Sequence, residues 1–224
     1  GISKRKRKFL INVTIKEKKE SNMKTIFTKQ ELLSRKGCYS SERIEKLFPN
    51  NNDVTINEIL SIESVSLKDK RWFIYNSCEL SLDEKKELSL LLSWAVLPLF
   101  ENIYPNDETV RKCMDGIERF KKNLITVEEL IDLKNAAIIV ANKIDQLAAY
   151  SDDETFINTS YAAASTAYAA AHDAYADTAL VAHDSHAASA AAYAANAAAY
   201  ADAVKYKSYS EKLNNILIEF ASSK

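Results

Sequence analysis

The chain has 224 residues and a mass of 25.1 kDa, so it can bury a substantial core as one or two domains. Its formal net charge of −1 and isoelectric point of about 6.4 exclude a general electrostatic attraction to nucleic acid or anionic membranes. Only three glycines and three prolines occur, which excludes a turn-rich β fold and favours helices.

The first 22 residues form a basic N-terminal arm. Lys4 to Lys8 carry five consecutive positive charges, and alternating apolar residues from 9 to 15 fit one face of a short strand. No small-residue cleavage site follows, so a signal peptide is not expected. Residues 19 to 22 can be encoded by a purine-rich ribosome-binding sequence. Met23 is therefore one hypothesis for the biological start, and a native arm, either a strand or disordered, is the other.

Helix starts are marked by capping boxes, in which a Ser or Thr and a Glu three residues later satisfy each other's backbone amides. The sequence contains five such pairs, namely Thr28/Glu31, Thr55/Glu58, Ser81/Glu84, Thr126/Glu129 and Ser151/Glu154. With other start and stop signals they predict helices at about 29–36, 41–48, 55–65, 69–78, 82–103, 107–122 and 126–150. Proline lacks an amide, so Pro98 should kink the helix at 82–103. The short connections are typical of an antiparallel bundle.

The longest apolar run, Leu88 to Phe100, is shorter than the roughly 20 residues that a membrane span needs, so it is predicted to be a buried helix and no membrane partner is expected. The three cysteines, Cys38, Cys78 and Cys113, are widely spaced. This spacing is typical of reduced thiols in a cytoplasmic protein rather than of disulfides or a zinc knuckle.

Alanine fills more than half of the positions from Tyr161 to Val204, which predicts helix with little tertiary support. The tract forms either one helix or a hairpin that reverses near His183 to His186, and compactness favours the hairpin. A final helix should turn apolar residues near Leu213 and Phe220 towards the core.

Five tyrosines of the tract fall on one narrow helical stripe if each residue advances by about 100°. They are Tyr161, Tyr168, Tyr175, Tyr193 and Tyr200. The aspartates point nearly opposite, namely Asp173, Asp177, Asp184 and Asp202. This pattern predicts a docked tyrosine face and a solvent-exposed aspartate face. The tyrosines are the candidate partner-binding residues, because tyrosine is enriched at binding hot spots.

All three histidines lie in the tract. His183 and His186 are three residues apart, so they are the weak candidates for a metal site, whereas His172 would lie about three turns away on an unbroken helix. Hydrolase and phosphate-binding glycine motifs do not occur in the sequence. The paired carboxylates at 128–129 and 152–154 fit first helical turns. No cofactor and no enzymatic activity are therefore expected.

Four aromatic residues, Trp72, Phe73, Trp94 and Phe100, lie within apolar stretches. Core packing is their expected role, and a peptide-binding groove is the alternative. The basic block near the N-terminus could contact phosphates, but it has no interleaved aromatic residues, so a nucleic-acid partner is not expected.

Three segments, Asp69 to Phe73, Val96 to Glu101 and Tyr104 to Asp107, together with a following helix and an alanine-rich tail, resemble a bacterial family of immunity proteins. The stretch from Glu31 to Thr55 is similar to the leading segment of such proteins, and the resemblance covers most of the region from Leu32 to Tyr200. It implies a cytoplasmic, non-enzymatic protein that binds and neutralises a toxin. It supplies no binding residues.

The sequence therefore predicts an all-α multi-helix bundle with long alanine-rich C-terminal helices. Residues 1–22 are the arm, 23–150 a helical bundle domain, and 151–224 an alanine-rich segment that packs on it. A protein-binding inhibitor is the expected function, either an immunity protein or a phage anti-defence protein such as an anti-CRISPR inhibitor. The alternatives are a metal-dependent enzyme that uses the tail histidines and a structural homo-oligomer held by the alanine-rich helices.

Overall fold

The computed structural model describes residues 23–34, 40–50, 52–178, 184–204 and 208–224. Of these residues 78% are helical, and they form ten helices and one very small sheet, which confirms the predicted all-α multi-helix bundle. The elements are β1 (Ile26–Phe27), α1 (Lys29–Ser34), α2 (Ser41–Leu47), β2 (Val54–Thr55), α3 (Ile56–Ser61), α4 (Leu67–Ser77), α5 (Leu82–Ile103), α6 (Thr109–Lys121), α7 (Val127–Ala149), α8 (Glu154–Thr178), α9 (Asp184–Ala203) and α10 (Tyr209–Ser222). No helix in the described ranges has the length and apolarity that crossing a membrane requires.

Side-chain caps fix where most of the helices begin. Complete capping boxes at Thr55, Ser81 and Thr126 start α3, α5 and α7, as predicted. Thr28 and Glu31 exchange the same pair of hydrogen bonds at the start of α1. Because each box satisfies two amides that the first turn leaves free, these starts are set by local sequence.

The fifth predicted box, Ser151/Glu154, is wrong. The Asp153 carboxylate accepts instead from the backbone N–H groups of Thr155 and Phe156, at 2.8 and 3.2 Å, while the Ser151 hydroxyl accepts from the N–H of Asp153 at 3.1 Å. A carboxylate directly before the first turn is a stronger acceptor for these amides than a more distant hydroxyl. The cap of α8 is therefore an aspartate.

This correction can be tested by two truncations. We expect Asp153→Ala to lower the free energy of unfolding by about 1 kcal/mol, because it removes the acceptor of two amides at the start of α8. Ser151→Ala should cost less than half as much. Urea unfolding followed by circular dichroism measures both changes, and an equal or larger cost for Ser151→Ala would restore the predicted box.

Two features near the N-terminus differ from the sequence-based expectation. The helix predicted at 55–65 ends at Ser61, and the next begins at Leu67 because the Ser66 hydroxyl caps it. Strands β1 and β2, which were not predicted, pair antiparallel with Phe27 opposite Val54. Two residues per strand are too few to show an alternating pattern. The predicted strand at 9–15 lies outside the described residues.

The core consists of two clusters of buried residues that meet along α5. Leu88, Leu92 and Val96 face the first cluster, with β1, α1 to α4, α9 and α10, whereas Leu97 and Phe100 face the second, with α6 and α7. From Leu88 to Phe100 helix α5 is buried on nearly all sides, as expected of a buried helix, and it runs through Pro98. Residues of α8 lie in both clusters and residues of α9 and α10 lie in the first, so the described helices of the alanine-rich tail pack on the rest of the bundle.

The tail folds as a helical hairpin, which confirms the break favoured from sequence. Helix α8 packs against α5, α6, α7 and α9, while α9 packs against α4, α5, α8 and α10. Helix α8 runs antiparallel to both α7 and α9. Alanine in α8 suits this crowded position, because small side chains allow several helices to approach closely.

Candidate functional site

The tyrosine stripe of the tail forms a ladder of rings across the hairpin. Tyr161 contacts Tyr200 and Tyr168 contacts Tyr193, with ring centroids 5.3 and 5.0 Å apart. The next step pairs Tyr175 with His186 at 3.9 Å. Each advance of seven residues along α8 is matched by seven residues back along α9. His186 is thus the third member of the α9 row, and the predicted stripe is one row on each helix.

These ring contacts leave the predicted partner-binding tyrosines only partly accessible. Tyr161, Tyr168, Tyr193 and Tyr200 are half-buried, whereas Tyr175 is exposed. The Tyr168 hydroxyl also donates to the Asn142 side-chain oxygen of α7 at 2.6 Å. The tyrosine rings therefore mainly hold α7, α8 and α9 together. The partner-binding role of the tyrosines stays a prediction.

The predicted solvent-exposed aspartate face is wrong for Asp173, Asp177 and Asp202, and the side chain of Asp184 lies outside the described part of the structure. Asp173 is only 4% exposed, and Asp177 lies between the ammonium groups of Lys86 and Lys121, at 3.4 and 3.5 Å. Asp202 accepts from two backbone N–H groups at the start of α10. Because helices surround α8 on several sides, the face opposite the tyrosines turns towards α5 and α6 rather than towards water.

Asp173 is the centre of a buried polar cluster between α4, α5, α6 and α8. The Ser89 hydroxyl donates to its Oδ1 atom at 2.6 Å. Burial raises the pKa of Asp173 to about 7, although the Ser89 hydrogen bond opposes this shift. Burial, helped by the charge of Asp173, also raises the pKa of Tyr75 and raises that of Cys113 to about 12. The cluster joins the two predicted regions of the chain.

We expect Ser89→Ala to lower the free energy of unfolding by about 2 kcal/mol, because it leaves Asp173 with one hydrogen bond fewer in a buried place. Ser77→Ala is the matched control. Ser77 is 1% exposed, and its hydroxyl makes no hydrogen bond within the described residues. Its removal should leave stability unchanged or raise it slightly. Chemical denaturation compares the two variants, and equal losses would contradict a specific contribution from the Ser89 bond.

The hairpin brings His172 and His186 together, although the sequence had favoured the pair His183 and His186. The Nδ1 atoms of His172 and His186 are 3.3 Å apart. Burial and the neighbouring His186 lower the pKa of His172. The two histidines meet because the chain reverses direction between α8 and α9. The sequence-based distance assumed one unbroken helix, so it could not show this pairing. His183 lies outside the described residues, and no group of three potential metal ligands occurs among those that are described.

The remaining sequence predictions about side chains mostly concern packing. Phe100 is fully buried, Phe73 packs against the first core cluster and Trp94 against the second. These three positions support core packing over a peptide-binding groove. Trp72 is half-buried. Cys78 and Cys113 are buried, while Cys38 lies outside the described residues.

Two of the segments that carry the family resemblance, 96–101 and 104–107, lie at the corner between α5 and α6, whereas Asp69 to Phe73 lie on α4. Arg111 forms an ion pair with Glu101 and lies over the Trp94 ring, 5.9 Å from its centroid. The Tyr104 ring packs on Phe100 at 5.4 Å. These contacts have a structural role, and they point to no ligand.

Large exposed apolar side chains are concentrated on α7 and α8. Seven occur among the described residues, and the five that lie on these helices or at the end of α7 are Ile139, Leu147, Tyr150, Phe156 and Tyr175. We call these five residues the outer α7–α8 surface. Sequence reasoning missed four of them. The sequence contained one indication of this surface, because residues eleven positions apart, such as Ile139 and Tyr150, lie on the same side of a helix.

The outer α7–α8 surface has an acidic edge at the turn between the two helices. Asp152, Asp153 and Glu154 are exposed and follow Tyr150 after one residue, Ser151. A shallow depression of ≈ 350 Å³ lies at the same end of the hairpin, lined by Glu154, Thr155, Asn158, Ala203 and Val204. Tyr150, Phe156 and the acidic groups are therefore presented together at this end, whereas Tyr175 lies near the other end of α8.

Comparisons with protein families, curated proteins and solved structures found no match to the chain. The resemblance to immunity proteins accordingly rests on its sequence motifs alone.

Proposed function

We propose that this chain is a non-enzymatic, cytoplasmic inhibitor that binds a protein toxin directly, as the resemblance to immunity proteins implies. The observation that supports a binding role is the outer α7–α8 surface. Tyr150 is 91% exposed and Ile139 is 67% exposed, whereas α7 buries Leu130, Ala137 and Ile144 in the second core cluster. Concentrated exposure of large apolar side chains is typical of interaction sites.

The composition of this surface fits the anatomy of a protein interface. Tyr150 and Phe156 supply aromatic anchors, which are frequent at binding hot spots. Leu147 lies one turn before Tyr150, so the apolar side chains follow the last turns of α7 into the first turn of α8. A partner would bury these side chains at the centre of the contact.

The acidic edge indicates the charge of the partner. Three exposed carboxylates next to Tyr150 would attract basic groups and would repel an acidic surface. The proposed toxin therefore has an apolar patch that is bordered by lysines or arginines. Since exposed charges are screened by salt, the association rate should fall as ionic strength rises.

The proposal predicts that a toxin gene lies beside the gene for this chain, and the test uses the product of that gene. Both proteins are purified, titrated against each other by calorimetry and assayed for toxin activity. We expect an equimolar complex in which the toxin is inactive. If the chain binds a component of a host defence system instead, the alternative anti-defence role is correct. Failure to bind or to protect from the co-encoded toxin would contradict the immunity proposal.

A further inference from the structure

His172 on α8 and His186 on α9 face each other across the hairpin. Their Nδ1 atoms are 3.3 Å apart, their ring centroids are 5.6 Å apart, and the ring planes differ by 24°. Both side chains are half-buried.

The distance between the two Nδ1 atoms matches the distance between two ligand atoms on one tetrahedrally coordinated metal ion. A bond of about 2.0–2.1 Å from zinc to each histidine nitrogen, at the tetrahedral angle, puts two ligand nitrogens roughly 3.3–3.4 Å apart. A hydrogen bond in which one imidazole donates to the other has a similar length. Both arrangements use the same atoms, so metal binding needs little movement of the rings.

Neighbouring aromatic rings hold both imidazoles in this arrangement. The Tyr193 ring stacks on His172, with centroids 5.2 Å apart, and the Tyr175 ring lies 3.9 Å from His186. Rings fixed by their neighbours lose little conformational freedom when they bind an ion. The pair is therefore preorganised for chelation.

We propose that His172 and His186 form a two-histidine site for a divalent transition-metal ion, which links α8 to α9. Water completes the coordination of the ion. Imidazole suits Zn²⁺, Ni²⁺ and Cu²⁺, and Cu²⁺ binds most tightly to a site of this kind. The ion stabilises the hairpin without serving an enzymatic reaction, since a catalytic zinc ion usually has three protein ligands. This proposal is independent of the proposed toxin binding.

The test uses the untagged full-length chain after removal of metals with a chelator. We expect calorimetry to show one Zn²⁺ or Cu²⁺ per chain, and saturating Zn²⁺ to raise the thermal unfolding midpoint by about 5 °C. Electron paramagnetic resonance of the Cu²⁺-loaded chain should show two equatorial nitrogen ligands. A Cu²⁺ spectrum without two nitrogen ligands, or the absence of binding, would overturn the proposal.

Single substitutions identify the ligands. His172→Gln and His186→Gln should each weaken Zn²⁺ binding at least tenfold and abolish the rise in midpoint, while melting normally in the presence of chelator. His183→Gln is the control and should bind as the unaltered chain does. Metal binding that survives His172→Gln but is lost in His183→Gln would place the ion elsewhere and contradict the proposal. The Cu²⁺ spectra of the variants give a second test: His172→Gln and His186→Gln should each lose one equatorial nitrogen, whereas His183→Gln should keep both, and loss of a nitrogen only in His183→Gln would overturn the proposal.

Discussion

We expect Ala167→Leu to lower the free energy of unfolding by about 3 kcal/mol. Ala167 is completely buried in the second core cluster, on the helix that packs against α5, α6, α7 and α9. A leucine at this position would force the neighbouring helices apart or adopt a strained rotamer. Leucine is almost as good a helix former as alanine, so the change tests helix packing rather than helix propensity.

Ala199→Leu provides the matched control for this variant. Ala199 lies on α9 of the same hairpin, but its side chain is exposed. We therefore expect the free energy of unfolding of the Ala199→Leu variant to remain within about 0.5 kcal/mol of that of the unaltered chain. Urea unfolding of the three proteins measures the difference. If Ala167→Leu were as stable as Ala199→Leu, the alanines of α8 would not be needed for close packing.

Local sequence predicted most of the helices, because their starts depend on groups only three residues apart. The capping boxes at Ser81 and Thr126 placed α5 and α7 within one residue of their observed bounds. Where several acceptors compete, the same reasoning failed, since Asp153 rather than Ser151 caps α8. Short elements such as β1 carry too few residues for a periodic pattern.

The candidate sites were less predictable, because they depend on how helices pack. A helical wheel correctly put Tyr161, Tyr168 and Tyr175 in one row, but it could not show that α9 would lie on that row. It also placed Asp173 on the side opposite the tyrosines, but it could not show that α5 would cover that side and bury Asp173. Contacts between residues far apart in sequence set the environment of both faces.

The pairing of His172 with His186 illustrates the same limit. On an unbroken helix, fourteen residues would separate these side chains by about 21 Å, whereas the reversal between α8 and α9 brings their Nδ1 atoms to 3.3 Å. Sequence spacing therefore selected His183 instead. The outer α7–α8 surface was missed for a related reason, since exposure of Ile139 follows from which side of α7 the bundle covers.

The largest expected effect on function comes from the double substitution of Ile139→Ser and Tyr150→Ser. Both side chains are mostly exposed, so the double variant should keep the stability and circular dichroism spectrum of the unaltered chain. If the outer α7–α8 surface contacts the toxin, loss of two large apolar groups should weaken binding about 100-fold, equivalent to roughly 2–3 kcal/mol. Most of this loss should appear as faster dissociation.

Ile26→Ser is the control for an exposed apolar residue away from this surface, because Ile26 lies on β1 and is 54% exposed. The decisive measurement is the dissociation constant of the complex with the co-encoded toxin, determined by calorimetry for the unaltered chain and both variants. We predict that Ile26→Ser binds as the unaltered chain does and that the folded double variant binds about 100-fold more weakly. Equal affinity of all three proteins would show that the toxin does not contact the outer α7–α8 surface.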